Sequence, residues 1–167
     1  MSRTWIALRG FGFALLFITL WGVAAWVCRF LDPYIPIELP RGVRGLGVVL
    51  MGAGIALTLI TAGYFVIRGR GTPAIFDPPR EFVVAGLNRF VRNPIYIGYV
   101  TGILGFGLCC RSISIILFAG VAFILIHLFV VFAEEPGLRR RFGQKYEDYC
   151  RAVPRWLPRL TPARLPT

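Results

Sequence analysis

The sequence predicts an all-α integral membrane protein: one membrane domain of about four transmembrane helices, closed by a C-terminal amphipathic interfacial helix. Three observations lead there. Hydrophobic residues make up 56 % of the chain and charged residues 16 %, against ~25 % charged in an ordinary soluble domain, and mean hydropathy is +0.67. So much apolar surface exceeds what a soluble core of this size can cover, which makes lipid the expected solvent. Second, several long stretches carry no charge at all. Third, nineteen Lys and Arg stand against eight Asp and Glu, a net charge of +11, and they lie mainly between the apolar stretches. That placement points to anionic headgroups and membrane orientation rather than to nucleic acid.

The first apolar run is 11–28, behind Arg3 and Arg9. A cleaved signal sequence has the same charge order, but no small-x-small cleavage site follows, so a retained helix is expected. The second run, 45–67, reaches about 34 Å as a helix, enough to cross a bilayer. Its glycines, Gly45, Gly47, Gly52 and Gly54, suit close helix packing better than a nucleotide loop. The third region, 95–133, is interrupted only by Arg111. One helix of that length would be about 58 Å, whereas two crossings of about 29 Å match the hydrocarbon core. A tight turn is therefore expected at Arg111 and Ser112, giving spans 95–111 and 112–133. Pro94 suits the first turn of the third helix, where its missing N–H costs nothing.

Orientation follows from cation counts. The N-terminal segment, the 68–94 loop and the 134–167 tail hold fifteen Lys and Arg, against four (Arg29, Arg41, Arg44, Arg111) on the other side. Both termini are expected in the cytoplasm. In the tail, Leu138, Phe142, Tyr146, Tyr149 and Val153 recur at three- and four-residue steps. That predicts an amphipathic helix on the headgroups, ended by Pro154. The four cysteines, Cys28, Cys109, Cys110 and Cys150, form no C-x-x-C or zinc spacing and are read as reduced. His127 is the sole histidine, so no multi-histidine metal site is expected.

Polar residues meet the membrane in two stretches, 71–98 and 127–156. Glu134 and Glu135 stand side by side at the boundary, and His127 lies seven residues earlier. Seven steps of 100° return to nearly the same face, about 10 Å deeper. A histidine and a carboxylate on one stripe fit a polar cavity. They fit equally a packing histidine and glutamates paired with Arg92 or Arg139 at the headgroups. The loop rich in Pro, Gly and Arg (Gly71, Pro73, Pro78, Pro79, Gly86) is either a cover for a site or a connector.

Arg92-Asn93-Pro94-Ile95-Tyr96-Ile97-Gly98 resembles the Arg-His-Pro-x-Tyr-x-Gly motif of the isoprenylcysteine carboxyl methyltransferase family and the related phospholipid methyltransferases. Glu134-Glu135, Phe142-Gly143, Tyr146, Tyr149 and Val153-Pro154-Arg155 resemble the second half of that signature, and the likeness covers about residues 70–158. The resemblance implies a membrane-embedded methyltransferase that uses S-adenosylmethionine without a soluble Rossmann-type domain, on a lipophilic acceptor drawn from the bilayer. It implies cofactor contacts from Glu81, Phe82, Val83, Asn88, Asn93, Pro94, Tyr96, Gly98 and Glu134. At the reacting end, Arg92 and His127 are candidates to hold a substrate carboxylate, and His127 or Glu135 to take the proton of an amine acceptor. Three positions depart from the pattern. Asn93 replaces the motif histidine, Asn88 stands where an aromatic is expected, and Val130 stands where eukaryotic members place an arginine for the substrate carboxylate. These departures leave an amine acceptor open beside a prenylcysteine carboxylate. An NADPH-dependent sterol-type reductase and a non-catalytic membrane protein are the rival readings.

Overall fold

The computed structural model describes residues 3–68, 84 and 86–163, and every structural statement here concerns those residues. Their regular structure is helical, with no strand among them. Helix α1 runs Arg3–Cys28 and passes into a 3-10 turn, Arg29–Tyr34, that carries Pro33. Helix α2 is Val43–Arg68. A 3-10 turn, Gly86–Arg89, precedes α3, Pro94–Cys110, which has proline in its first turn. Helix α4, Ile113–Phe129, continues into a π-helical turn, Val130–Glu134. Two short helices follow, α5 (Glu135–Phe142) and α6 (Gln144–Ala152). Two stretches, Val43–Tyr64 and Ile113–Phe142, are long and apolar enough to cross a membrane, and Pro94–Cys110 is a shorter apolar helix.

The chain reverses at Arg111 and Ser112, where the charge break suggested a turn. Arg111 takes the left-handed conformation (φ 55°), and its N–H bonds back to Leu108 O at 3.1 Å. Ser112 then caps α4, its hydroxyl accepting from Ile115 N at 3.2 Å. From the α1–α2 connector, the Asp32 carboxylate accepts from Ser114 N at 3.0 Å, and the Arg111 Nε donates to Leu39 O at 2.6 Å. Burial alone would raise the Asp32 pKa, but hydrogen bonds from Ser112 and Ser114, with Arg29 nearby, hold it below the usual carboxylate range.

Helices α2 and α3 lie against each other along a seam of glycines. A Cβ on Gly105 would sit 2.3 Å from Met51 N, one on Gly54 2.4 Å from Gly102 N, and one on Gly47 2.6 Å from Cys109 N. Any side chain there would force the helices apart. Gly45 and Gly52 face open space, so the packing role expected of all four α2 glycines holds for Gly47 and Gly54. A second apolar cluster joins α1, α3 and α4 through Ala25, Ile103, Ile115, Ala119 and Ala122.

The expected single amphipathic tail helix is corrected in two ways. Gly143 (φ 53°) breaks it into α5 and α6. Its apolar face also does not lie open to headgroups: Tyr146, Tyr149 and Val153 are buried with Ala163, and Leu138 and Phe142 pack against them. The apolar periodicity was real, but the returning chain covers it.

Candidate functional site

The polar end of the bundle is built where the 86–93 turn, the start of α3, the π-helical turn and the tail meet. The tail is tied to the 86–93 turn by three backbone hydrogen bonds. Arg92 N donates to Pro154 O, Arg159 N to Phe90 O and Ala163 N to Arg89 O, each at 2.9 Å. Side chains reinforce this. Tyr149 Oη donates to Asn88 O at 2.8 Å, Asn88 Nδ2 to Arg92 O at 3.1 Å, Asn93 Nδ2 to Arg155 O at 3.3 Å, and Arg89 Nε to Ala163 O at 3.0 Å. Burial pushes the Tyr149 phenol well above its ordinary range, so it stays a neutral donor.

Glu135 is the ionic centre of the clasp. It is 2 % exposed and faces three guanidinium groups. Arg155 meets it with two bonds, Nε to Oε1 at 2.7 Å and Nη2 to Oε2 at 3.0 Å. Arg92 Nη1 lies 3.2 Å from Oε1 and Arg139 Nη2 3.7 Å from Oε2. Arg92 Nη1 also donates to Cys150 Sγ at 2.7 Å. A buried carboxylate held by a bidentate arginine and two further cations is an anchor, since a buried charge is tolerated only when paired.

Its neighbour Glu134 is differently placed. Oε2 accepts from Tyr96 Oη at 2.9 Å, no cation pairs with it among the described residues, and it is only half-buried. Tyr96 lies one turn into α3, beside Tyr99. Two consecutive glutamates thus stand in opposite settings, one locked in an ion cluster, the other held by a neutral phenol with no cation beside it among the described residues.

The π-helical turn explains part of this and corrects the helical-wheel argument. Glu135 N bonds to Val130 O, five residues back. Such a turn advances less than 100° per residue, so the seven-residue match between His127 and Glu134 does not carry through it. The two take different partners: His127 Nδ1 accepts from Trp156 Nε1 at 3.0 Å. Trp156 also sets its ring edge-on to Phe123, with centroids 5.1 Å apart.

Of the residues singled out in the sequence, the structure brings Arg92, Asn93, Pro94, Tyr96, Glu134 and Glu135 to this end. Asn88 is buried in the turn's own hydrogen bonding. Gly98 belongs to the α2–α3 seam, where a Cβ would meet Thr58 Oγ1 at 2.4 Å. Glu81, Phe82 and Val83, with the 71–80 loop, lie outside the described residues. Glu135 takes both Arg92 and Arg139, the partners weighed for the glutamates in the sequence; those that sequence reasoning missed are Arg155 on Glu135, Cys150 on Arg92, and Trp156 on His127. The one available signal was a Pro-Arg-Trp run directly after the amphipathic segment, which returns cations and an aromatic toward the glutamates.

Residues 43–145 match the family model described as phospholipid methyltransferase, and the chain belongs to that family. Among curated proteins it is similar to the nickel-cobalt-cadmium resistance protein NccN of Alcaligenes xylosoxydans xylosoxydans, 33 % identical over 64 % of this chain and 53 % of the relative. It is similar to a phosphatidylethanolamine N-methyltransferase of Phaeosphaeria nodorum, 28 % identical over 74 % of this chain and 14 % of the relative. It is also similar to the cobalt-zinc-cadmium resistance protein CzcN of Cupriavidus metallidurans, 30 % identical over 66 % of this chain and 54 % of the relative. The chain spans about half the length of the two resistance proteins and a smaller part of the third. No solved structure matches.

Proposed function

We propose that this protein is an S-adenosylmethionine-dependent methyltransferase acting on a lipophilic acceptor at the cytoplasmic face of the membrane. Four spans, with both termini in the cytoplasm, complete the reading: the two long apolar helices and the distribution of cations support it. The observation that carries the reading is the Tyr96–Glu134 pair, a half-buried carboxylate without a cationic partner among the described residues, set beside the Asn93–Pro94 turn. That donor set fits the cofactor's amino-acid end, because a partly buried carboxylate without a cationic partner pairs naturally with an ammonium group. Glu134 would hold that group, Tyr96 would orient Glu134, and Asn93 and Pro94 would line the adenosine side. When bound, S-adenosylmethionine supplies an electrophilic methyl on a cationic sulfur.

The chain's own residues then do three things. The Glu135 clasp fixes the turn and tail, so that the Tyr96–Glu134 pair keeps one geometry; positioning of this kind accounts for much of the rate in a transfer between two bound groups. The surrounding apolar helices keep water from the reacting end. His127, accepting on Nδ1, carries its hydrogen on Nε2 when neutral and so offers a donor rather than a base in this arrangement. Glu135, occupied by three arginines, is likewise unsuited to take a proton.

The same geometry bears on the acceptor. Val130, at the position of the expected arginine, is 1 % exposed, and Arg92, the nearest substitute, is engaged by Glu135. Neither offers a free cation to a carboxylate. This, with the family match, supports a lipid amine over a prenylcysteine carboxylate; such an amine would have to release its proton to water at the cytoplasmic face before its nitrogen takes the methyl, since neither His127 nor Glu135 is placed to accept it. The test is transfer of labelled methyl in vesicles containing phosphatidylethanolamine. Label in the lipid fraction is expected, and loss of label transfer on Glu134→Gln is expected with it. A folded wild-type protein that gives no labelled lipid from any membrane extract would overturn the reading.

A second reading draws on two of the relatives, whose names place them in metal resistance. The protein would then serve cells exposed to nickel, cobalt or cadmium. Among the described residues no group of three His, Cys, Asp or Glu could hold a metal ion, so such a role would run through the membrane rather than through a metal site in this region. Unchanged growth of a deletion strain on those metals would rule it out.

A further inference from the structure

The end of the chain does something the clasp does not require. After Arg155 engages Glu135, the next residue turns along α4. Trp156 meets His127 and Phe123, which lie seven and eleven residues before Glu134. At helical rise these lie about 10 and 16 Å along the helix from that carboxylate. The tail therefore runs back alongside α4 after leaving it. Beyond Trp156 the side chains open outward: Leu157 is 80 % exposed and Leu160 fully so. On the helix that Trp156 packs against, Leu125 and Leu128 of α4 and Phe132 of the π-helical turn are likewise exposed, at 54, 44 and 75 %.

Two further features suit this segment to a poorly hydrated place. Pro154, Pro158 and Pro162 have no N–H, and Arg159 N and Ala163 N are bonded to the 86–93 turn. Half of the ten residues from 154 to 163 thus present no free backbone donor, which lowers the cost of seating irregular chain at the headgroup level. Arg159 lies between the two leucines, exposed, with its guanidinium donating to Ala152 O. Arg140 and Arg141 are exposed on the neighbouring α5. Tryptophan and leucine beside arginine is the composition of a headgroup-level anchor.

We propose that Trp156, Leu157 and Leu160 form a membrane-contact surface that seats the tail in the anionic headgroup layer of the cytoplasmic leaflet, continuous with the lipid-facing side of α4. The interfacial role expected of the amphipathic α6 face, which is buried within the protein, thus belongs to the segment after it. The proposal rests on the membrane reading of the preceding subsection and adds a contact which that reading does not require.

The test uses full-length protein in vesicles of phosphatidylcholine and phosphatidylglycerol, with Trp5, Trp21 and Trp26 changed to Phe. Three single-tryptophan proteins are compared: one keeping Trp156, and two carrying Trp156→Phe with either Leu160→Trp or the reference Leu125→Trp on α4. Each is quenched with lipids brominated near the headgroup and, separately, with aqueous acrylamide. We expect Trp156 and the tryptophan at 160 to lose emission to the bromolipid as the reference does, and to be shielded from acrylamide. Shielding at Trp156 alone does not suffice, since Phe123 also covers it; the tryptophan at 160 decides. Acrylamide quenching at 160 with lipid quenching at 125 would overturn the anchor and leave the membrane reading standing. Acrylamide quenching at both would overturn both.

Discussion

Helix α3 is held by two opposite devices. Along its length it is held by what is missing: Gly98 and Gly105 let α2 approach so closely that a single added carbon on either would collide. At its N-terminal end the preceding turn is held by an excess of charge, three guanidinium groups around the buried Glu135. The first device is a matter of shape and spreads over many weak contacts. The second concentrates on one side chain whose removal strands its partners. The contrast teaches that the apolar half should yield gradually to substitution and the polar end abruptly.

Glu135→Ala is the sharpest way to break this picture. It leaves Arg92, with 10 % of its side chain exposed, and Arg155, with 30 %, without their shared anion. Breaking a buried pair in this way costs about 3–5 kcal/mol. Thermal unfolding in detergent is expected to fall far below wild type, and Glu135→Asp is expected to recover part of the loss. On the apolar side, Gly105→Leu is expected to cost about 1–3 kcal/mol through overpacking, while Gly52→Leu, in open space, stays near wild type in the same melt. Equal effects at the two glycines would contradict the seam. Tyr96→Phe removes one hydrogen bond, worth about 1 kcal/mol. Its melting shift is expected to be small, with a loss in S-adenosylhomocysteine affinity of roughly fivefold.

The smallest effect concerns acid. The folded-state pKa of Asp32 is depressed, so its contribution is present above its unfolded value, about 3.9, and is lost as pH falls through the lower folded value. The stability gap between wild type and Asp32→Asn is therefore expected to close below about pH 4. A gap unchanged by acid would show that the Ser114 cap does not depend on the charge.

What the sequence made legible follows the same division. The α3–α4 turn at Arg111 and Ser112, the proline start of α3 and the tight packing of Gly47 and Gly54 are local signals, readable from a charge in an apolar run or from a spacing. The clasp was legible only in part: pairing of the glutamates with Arg92 or Arg139 was one reading of the boundary charges, and Glu135 makes both pairs, but its bidentate partner Arg155, 20 residues on, and the separation of roles between the two glutamates lie beyond what periodicity says. The motif residues Arg92, Asn93, Tyr96, Glu134 and Glu135 were picked out by resemblance, yet their division of labour was not. Adjacent glutamates look alike in sequence, and only the π-helical turn and the returning tail set them apart. For the same reason the helical-wheel match of His127 with Glu134 failed: it assumed a uniform helix where Val130–Glu134 is wound differently.

The central claim is that Glu134 serves the cofactor while Glu135 serves the fold. Calorimetric titration of S-adenosylhomocysteine into detergent-purified wild type, Glu134→Gln and Glu135→Gln, with melting curves on each, tests it directly. The account predicts binding in the wild type, lost or strongly weakened binding with a near-normal melt in Glu134→Gln, and a collapsed melt in Glu135→Gln. Unimpaired binding by a folded Glu134→Gln protein would contradict it.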